Sequence, residues 1–120
     1  MRFAHVTLSV LNMEESLHFY EKVIGLPLKR KMPGGPGREL AFLGNENETE
    51  VELISGKSEV SFGTDISIGF VVDDLDETIK YLEENGIHTG EIMSPNPSMK
   101  MIFITDPNGM RVQFLAYTES

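Results

Sequence analysis

An internal repeat constrains this chain more than any other feature. His5-Val6-Thr7-Leu8-Ser9-Val10 aligns with Ser67-Ile68-Gly69-Phe70-Val71-Val72, and the match runs on through Asn12 on Asp74, Glu15 on Glu77, Leu17 on Ile79 and Phe19 on Tyr81. After a slip of one residue Gly25 meets Gly86, Phe42 meets Phe103, and Val51-Glu52-Leu53 meets Val112-Gln113-Phe114. Agreement at so many caps, turns and strand positions marks two copies of one supersecondary unit. At 120 residues the chain is too short for two ordinary domains, so the copies are expected to share a single domain, 1–120, with module one over about 1–61 and module two over about 62–120.

The elements of each copy follow from periodicity. Phe3 to Val10 alternates apolar and polar residues and predicts a strand; Asn12 with Glu15 forms a capping-box-like helix start, and Gly25 is placed to end the helix in a left-handed cap. Leu28 to Lys31, Arg38 to Leu43 and Glu50 to Ile54 read as strands, separated by turn-forming Gly, Pro and Asn residues. In the second copy Ile66 to Val72 is a strand, Asp74 caps a helix that Gly86 closes, and strands are expected at Ile87 to Met93, Met99 to Thr105 and Met110 to Tyr117. The turns there are Ser94-Pro95-Asn96-Pro97 and Asp106-Pro107-Asn108-Gly109. The expected class is α+β: two tandem β-α-β-β-β modules whose helices cover the apolar strand faces, with curled mixed sheets around a cleft.

Composition excludes several functions. With no cysteine the chain can form no disulfide, thiolate metal site or cysteine nucleophile, and a reducing cytoplasm is the expected location. A formal charge of −9, from 19 acidic against 10 basic residues, repels phosphate backbones and anionic lipid, so neither nucleic acid nor a membrane is an expected partner. No apolar run reaches signal-peptide or transmembrane length. The Gly34 to Gly37 segment lacks the lysine and following helix that a phosphate-cradling loop needs, and reads as a flexible hairpin.

Strand alternation puts His5, Thr7 and Ser9 opposite the apolar face of the first strand, Ser67 opposite that of its mate, and Glu52 and Gln113 opposite those of the two closing strands. The repeat makes His5 equivalent to Ser67 and Glu52 to Gln113, and a twofold-related cleft would bring all four toward its centre. Imidazole nitrogen with carboxylate oxygen is a donor set that divalent ions accept. His18 and His88 are expected to face solvent. Glu50 and Glu52, flanking Val51, also have a plain reading as a solvated outer strand face; Lys29, Lys31, Arg38 and Arg111 could meet an anionic substrate such as a carboxylate or glutathione, but single exposed basic residues are ordinarily surface cations. Phe42 and Phe103, paired by the repeat, are candidate aromatic walls of a pocket or core.

His5 to Val10, Phe19-Tyr20-Glu21-Lys22-Val23-Ile24-Gly25-Leu26, Val51-Glu52-Leu53 and Asp106-Pro107-Asn108-Gly109-Met110-Arg111-Val112-Gln113 resemble the recurring segments of glyoxalase I-like (lactoylglutathione lyase-like) proteins. These belong to the glyoxalase, bleomycin-resistance and extradiol-dioxygenase, or vicinal oxygen chelate, superfamily, and the likeness covers nearly the whole chain. The resemblance implies four metal-binding positions, here His5, Glu52, Ser67 and Gln113. Bacterial glyoxalase I typically has His, Glu, His and Glu there, so this chain keeps the first two and departs at the last two.

From that pattern the expected function is a glyoxalase-like lyase or isomerase of a small carbonyl compound or thiol adduct. His5, Glu52 and Gln113 would surround a divalent metal (Ni, Zn or Mn) with Glu52 as catalytic base; the family reaction passes through an enediolate whose proton is moved by carboxylates at the Glu positions. The alternative is a metal-free protein of the bleomycin-resistance kind that binds a small molecule or antibiotic, for which Ser67 and Gln113 are no loss. Iron-dependent dioxygenase and fosfomycin-resistance chemistry are disfavoured by the same two residues. The family also implies a homodimer.

Overall fold

The computed structural model describes residues 1–118, which divide into two compact units, one from Met1 to Ser61 and the other from Phe62 onward. The first contains β1 (His5–Ser9), α1 (Met13–His18), β2 (Leu28–Pro33), β3 (Glu39–Leu43) and β4 (Glu50–Ile54), and the second contains β5 (Ser67–Val71), α2 (Leu75–Glu84), β6 (Met93–Asn96), β7 (Met99–Thr105) and β8 (Arg111–Tyr117). Each unit holds one mixed four-stranded sheet, ordered β1-β4-β3-β2 in the first and β5-β8-β7-β6 in the second. In both, the first strand lies parallel to the last and the other neighbours are antiparallel. This is the α+β class that the repeat predicts.

The caps work as the sequence suggests. Asn12 accepts a hydrogen bond from the Glu15 amide at 2.9 Å and Asp74 accepts one from the Glu77 amide at 3.0 Å, each satisfying an N–H that the first helical turn leaves without a partner. Gly25 and Gly86 take φ of 91° and 74°, the left-handed conformation that ends each helical segment. The helical faces then meet apolar strands. In the first unit Leu8, Val10, Ala41, Leu43, Val51 and Leu53 are buried, with Met13, Phe19 and Tyr20 from the helical segment; in the second Ile102, Ile104, Val112, Phe114 and Ala116 are buried, with Leu75 and Leu82. His18 and His88 are exposed, as expected.

β2 runs two residues past the expected Lys31, through Met32 and Pro33, and the structure differs more substantially from the sequence reading in two further places. The first helix does not stay α-helical: over Phe19–Val23 it widens into a π-helix, with the Ile24 amide donating to the Phe19 carbonyl five residues back. Phe19 and Tyr20, adjacent in sequence, are both buried there and pack edge to face at 5.0 Å between centroids. The second difference is the strand expected at Ile87 to Met93. The strand is Met93–Asn96 and includes Ser94, Pro95 and Asn96, which read as a turn. It is an edge strand, where the missing proline N–H costs no ladder bond. The reversal falls at Pro97 and Ser98 because Asn96 Oδ1 accepts from the Ser98 amide, while Ser94 Oγ donates to the Asn96 and Met99 carbonyls. Among the described residues no helix is long and apolar enough to cross a membrane.

Replacing either cap, Asn12→Ala or Asp74→Ala, should lower stability by about 1 kcal/mol. Urea denaturation would show a reduced midpoint with an unchanged slope; an unchanged midpoint in both variants would contradict the capping assignment.

Candidate functional site

The parallel register of β1 on β4 pairs His5 with Glu50, Val6 with Val51, Thr7 with Glu52 and Leu8 with Leu53. Since side chains alternate and Leu8, Val51 and Leu53 are buried, His5, Thr7, Glu50 and Glu52 share the opposite face. β3 adds Phe42, directly opposite Glu52, and β2 adds Arg30, opposite Phe42. Side chains far apart in sequence thus form one row across the sheet.

On this face His5 Nε2 lies 3.3 Å from Glu52 Oε1, and Thr7 Oγ1 donates to the same oxygen at 2.5 Å. The His5 side chain is 41% exposed while that of Glu52 is 13% exposed, so the carboxylate sits sheltered behind a more accessible imidazole. Beside them Arg30 grips Glu50 with both arms of its guanidinium, Nη1 to Oε2 at 3.0 Å and Nη2 to Oε1 at 2.8 Å, and lies 4.1 Å above the centre of the Phe42 ring. The His5 ring meets Phe42 edge-on at 5.8 Å. Arg30 hydrogen bonding holds the Glu50 carboxyl below the usual carboxylate range; burial opposes this, and the charges of Arg30, Lys29 and His5 add to it. Glu50 in turn raises Arg30.

The second unit presents the equivalent positions with different chemistry. In its parallel pair Ser67 faces Arg111 and Gly69 faces Gln113, and Phe103 is the β7 partner of Gln113. Gln113 Nε2 donates to Ser67 Oγ at 3.2 Å. A side chain at position 69 would prevent this arrangement from forming undisturbed, since a Cβ there would stand 3.1 Å from Gln113 Cγ. Arg111 lies with its guanidinium 4.3 Å above the Phe103 ring. Comparing matched positions, His5 becomes Ser67, Thr7 becomes Gly69, Glu50 becomes Arg111 and Glu52 becomes Gln113, while Phe42 and Phe103 are kept.

Of the expected site residues, His5 and Glu52 are in contact within the first unit, and Gln113 lies in the second beside Ser67. Donor atoms sharing one divalent ion through bonds of about 2.1 Å stand roughly 3.0 to 3.4 Å apart, and the His5–Glu52 pair has that spacing. Ser67 and Gln113 are neutral and bonded to one another, and among the described residues no three His, Cys, Asp or Glu side chains form a metal-holding group. The first unit offers two donors at a spacing compatible with a shared ion, which is also that of an imidazole–carboxylate contact; the second offers at most a weak amide or hydroxyl oxygen. Sequence reasoning treated Glu50 as plain surface and gave Arg30 no place. Glu50 could have been found from its spacing of two from Glu52; nothing local in the sequence marks Arg30.

The comparisons with known proteins agree with this architecture. The model of the Glyoxalase/Bleomycin resistance protein/Dioxygenase superfamily matches residues 2–114, and the chain belongs to that superfamily. Lactoylglutathione lyase of Neisseria meningitidis is 29% identical over 96% of this chain and 90% of its own length. A probable trivalent organoarsenical cleaving enzyme of Bacillus subtilis is 31% identical over 100% of this chain and 82% of its own. The crystal structure of TnmS3, an antibiotic binding protein from Streptomyces sp. CB03234, shares the fold with a TM-score of 0.81 at 18% identity, covering 98% of this chain and 97% of that one.

The Arg30–Glu50 pair carries a pH signature. A carboxyl whose folded-state value lies below its unfolded one contributes stability that is present above the unfolded range and is lost as pH falls through the folded value. Glu50→Gln should therefore be less stable than wild type at neutral pH, and the gap should close on acidification. Urea melts of both proteins across the acidic range would check this, and a gap that stays constant or widens toward acid would contradict it.

Proposed function

We propose that this protein is a glyoxalase-like lyase or isomerase acting on a small carbonyl compound or thiol adduct, at a site built on His5 and Glu52. The observation that carries this reading is the 3.3 Å approach of His5 Nε2 to Glu52 Oε1, on adjacent parallel strands and away from the core. A divalent ion held there would polarise a carbonyl oxygen of the substrate. Glu52 is the base: a sheltered carboxylate, steadied by Thr7, that takes a proton from carbon beside the carbonyl and returns it to the neighbouring position. Arg30 occupies Glu50, which leaves Glu52 as the carboxylate on this face without a guanidinium partner. Gln113, in the second unit, is neutral. Its amide cannot accept a proton as the glutamate at that position in bacterial glyoxalase I does, so proton movement rests on Glu52 alone.

A second reading has an observation of its own. Ser67 and Gln113 are neutral and share a hydrogen bond without any ligand, which suits a metal-free protein that binds a small molecule, as TnmS3 binds an antibiotic.

The two readings separate on turnover. Protein loaded with Ni²⁺, Zn²⁺ or Mn²⁺ should convert hemithioacetals of 2-oxoaldehydes, and Glu52→Gln should slow that conversion by about 10²- to 10⁴-fold. In deuterated water the wild-type product should carry deuterium at the carbon that receives the proton. No turnover with any of the metals, together with saturable binding of an apolar small molecule, would favour the second reading.

A further inference from the structure

Among the described residues two guanidinium groups stack on phenylalanine rings, and one of the two is held in an ion pair. Arg30, over Phe42, holds Glu50 in a two-armed grip. Arg111, over Phe103, has no ion pair among the described residues, although the chain as a whole carries nine net negative charges. The nearest acid in sequence, Asp106, is committed to its own turn, where Oδ1 accepts from the amides of Asn108 and Met110. Arg111 also stands at the repeat position that Glu50 fills in the first unit, so the carboxylate has been replaced by a cation. A half-buried guanidinium whose plane is fixed by an aromatic ring is prepared for a planar, two-point acceptor.

The surroundings of Arg111 say what else such a ligand carries. Gln113 shares its face and keeps an amide oxygen that can accept a hydrogen bond. Val71 and Leu115 are paired in register on that face, Met101 pairs with Leu115 from the other side, and Val71 is 64% exposed. Cation, amide and adaptable apolar surface are therefore side by side. We infer that the β5-β8-β7 face binds small organic carboxylates with an apolar body, the carboxylate pairing with Arg111 and the body lying on Met101, Leu115 and Val71. This makes Arg111 a specificity-determining residue, selecting acids over their neutral analogues.

The inference extends the small-molecule reading given above by naming a ligand class, and it involves no metal. The test is accordingly made on chelator-stripped protein, so that failure of metal binding at His5 and Glu52 leaves it standing and its own failure leaves the metal reading standing. Benzoate, benzamide and acetate are titrated into isotopically labelled protein and amide shifts are followed by NMR. Benzoate should shift residues of β5, β7 and β8 saturably, with benzamide and acetate each weaker by about tenfold or more. Arg111→Met should weaken benzoate by a similar factor while leaving the dispersed spectrum unchanged, and Arg111→Lys, which keeps charge but loses the planar fork, should fall between them. Three results would overturn the inference: benzoate and benzamide binding alike, benzoate shifts mapping elsewhere or not saturating, or both Arg111 variants binding benzoate as wild type does. Should Arg111→Met lose its spectrum, the Arg111→Lys and benzamide comparisons decide the matter by themselves.

Discussion

The parallel pairing of the first strand of each module with its last is the constraint on which the rest depends. It joins residues about 45 positions apart in register, His5 with Glu50 and Ser67 with Arg111. Burial of alternate apolar residues then fixes which side chains turn outward, because a slip of one residue would send Leu8, Val51 and Leu53 to the open face and His5 and Glu52 into the core. The position of the candidate site therefore follows from core packing, and the polar residues are placed by the apolar ones between them.

Within that shared frame the two modules have diverged in charge. The first carries an imidazole, two carboxylates and a guanidinium that neutralises one of them; the second carries a hydroxyl, an amide and a guanidinium with no ion pair among the described residues. Gly69 belongs to the same divergence. Its counterpart Thr7 donates to Glu52, whereas the absence of a side chain at 69 lets Gln113 lie across β5 and reach Ser67. The proposed metal chemistry and the inferred carboxylate recognition thus fall on different modules of one duplicated fold.

Much of this was legible in the sequence because it is written in local patterns. The caps at Asn12 and Asp74, the left-handed glycines 25 and 86, the strand Glu50–Ile54 and the outward parity of His5 and Glu52 each rest on a few adjacent residues. What was missed depends on long-range register or on small energy differences. Arg30 reaches Glu50 only because β2 meets β3 with an irregularity between Leu28 and Arg30, which no local pattern announces. The π-helical turn at Phe19–Val23 keeps apolar residues at helical spacing and so looks like a continuing α-helix. β6 was displaced because Pro95 and Asn96 carry turn signals that an edge strand tolerates. The likeness to lactoylglutathione lyase was visible for the same reason as the caps, since its motifs are contiguous, while the departures at Ser67 and Gln113 show their consequence only once each is seen bonded to the other.

The central claim is that His5 and Glu52 act together as a divalent-ion pair despite the neutral residues at the other two positions. Calorimetric titration of chelator-stripped protein with Ni²⁺, Zn²⁺ and Mn²⁺ tests it directly, with His5→Ala and Glu52→Ala measured alongside. The account predicts stoichiometric binding by wild type of at least one of the three ions, weakened about tenfold or more in each variant. Absence of binding to all three, or binding that neither substitution changes, would contradict it.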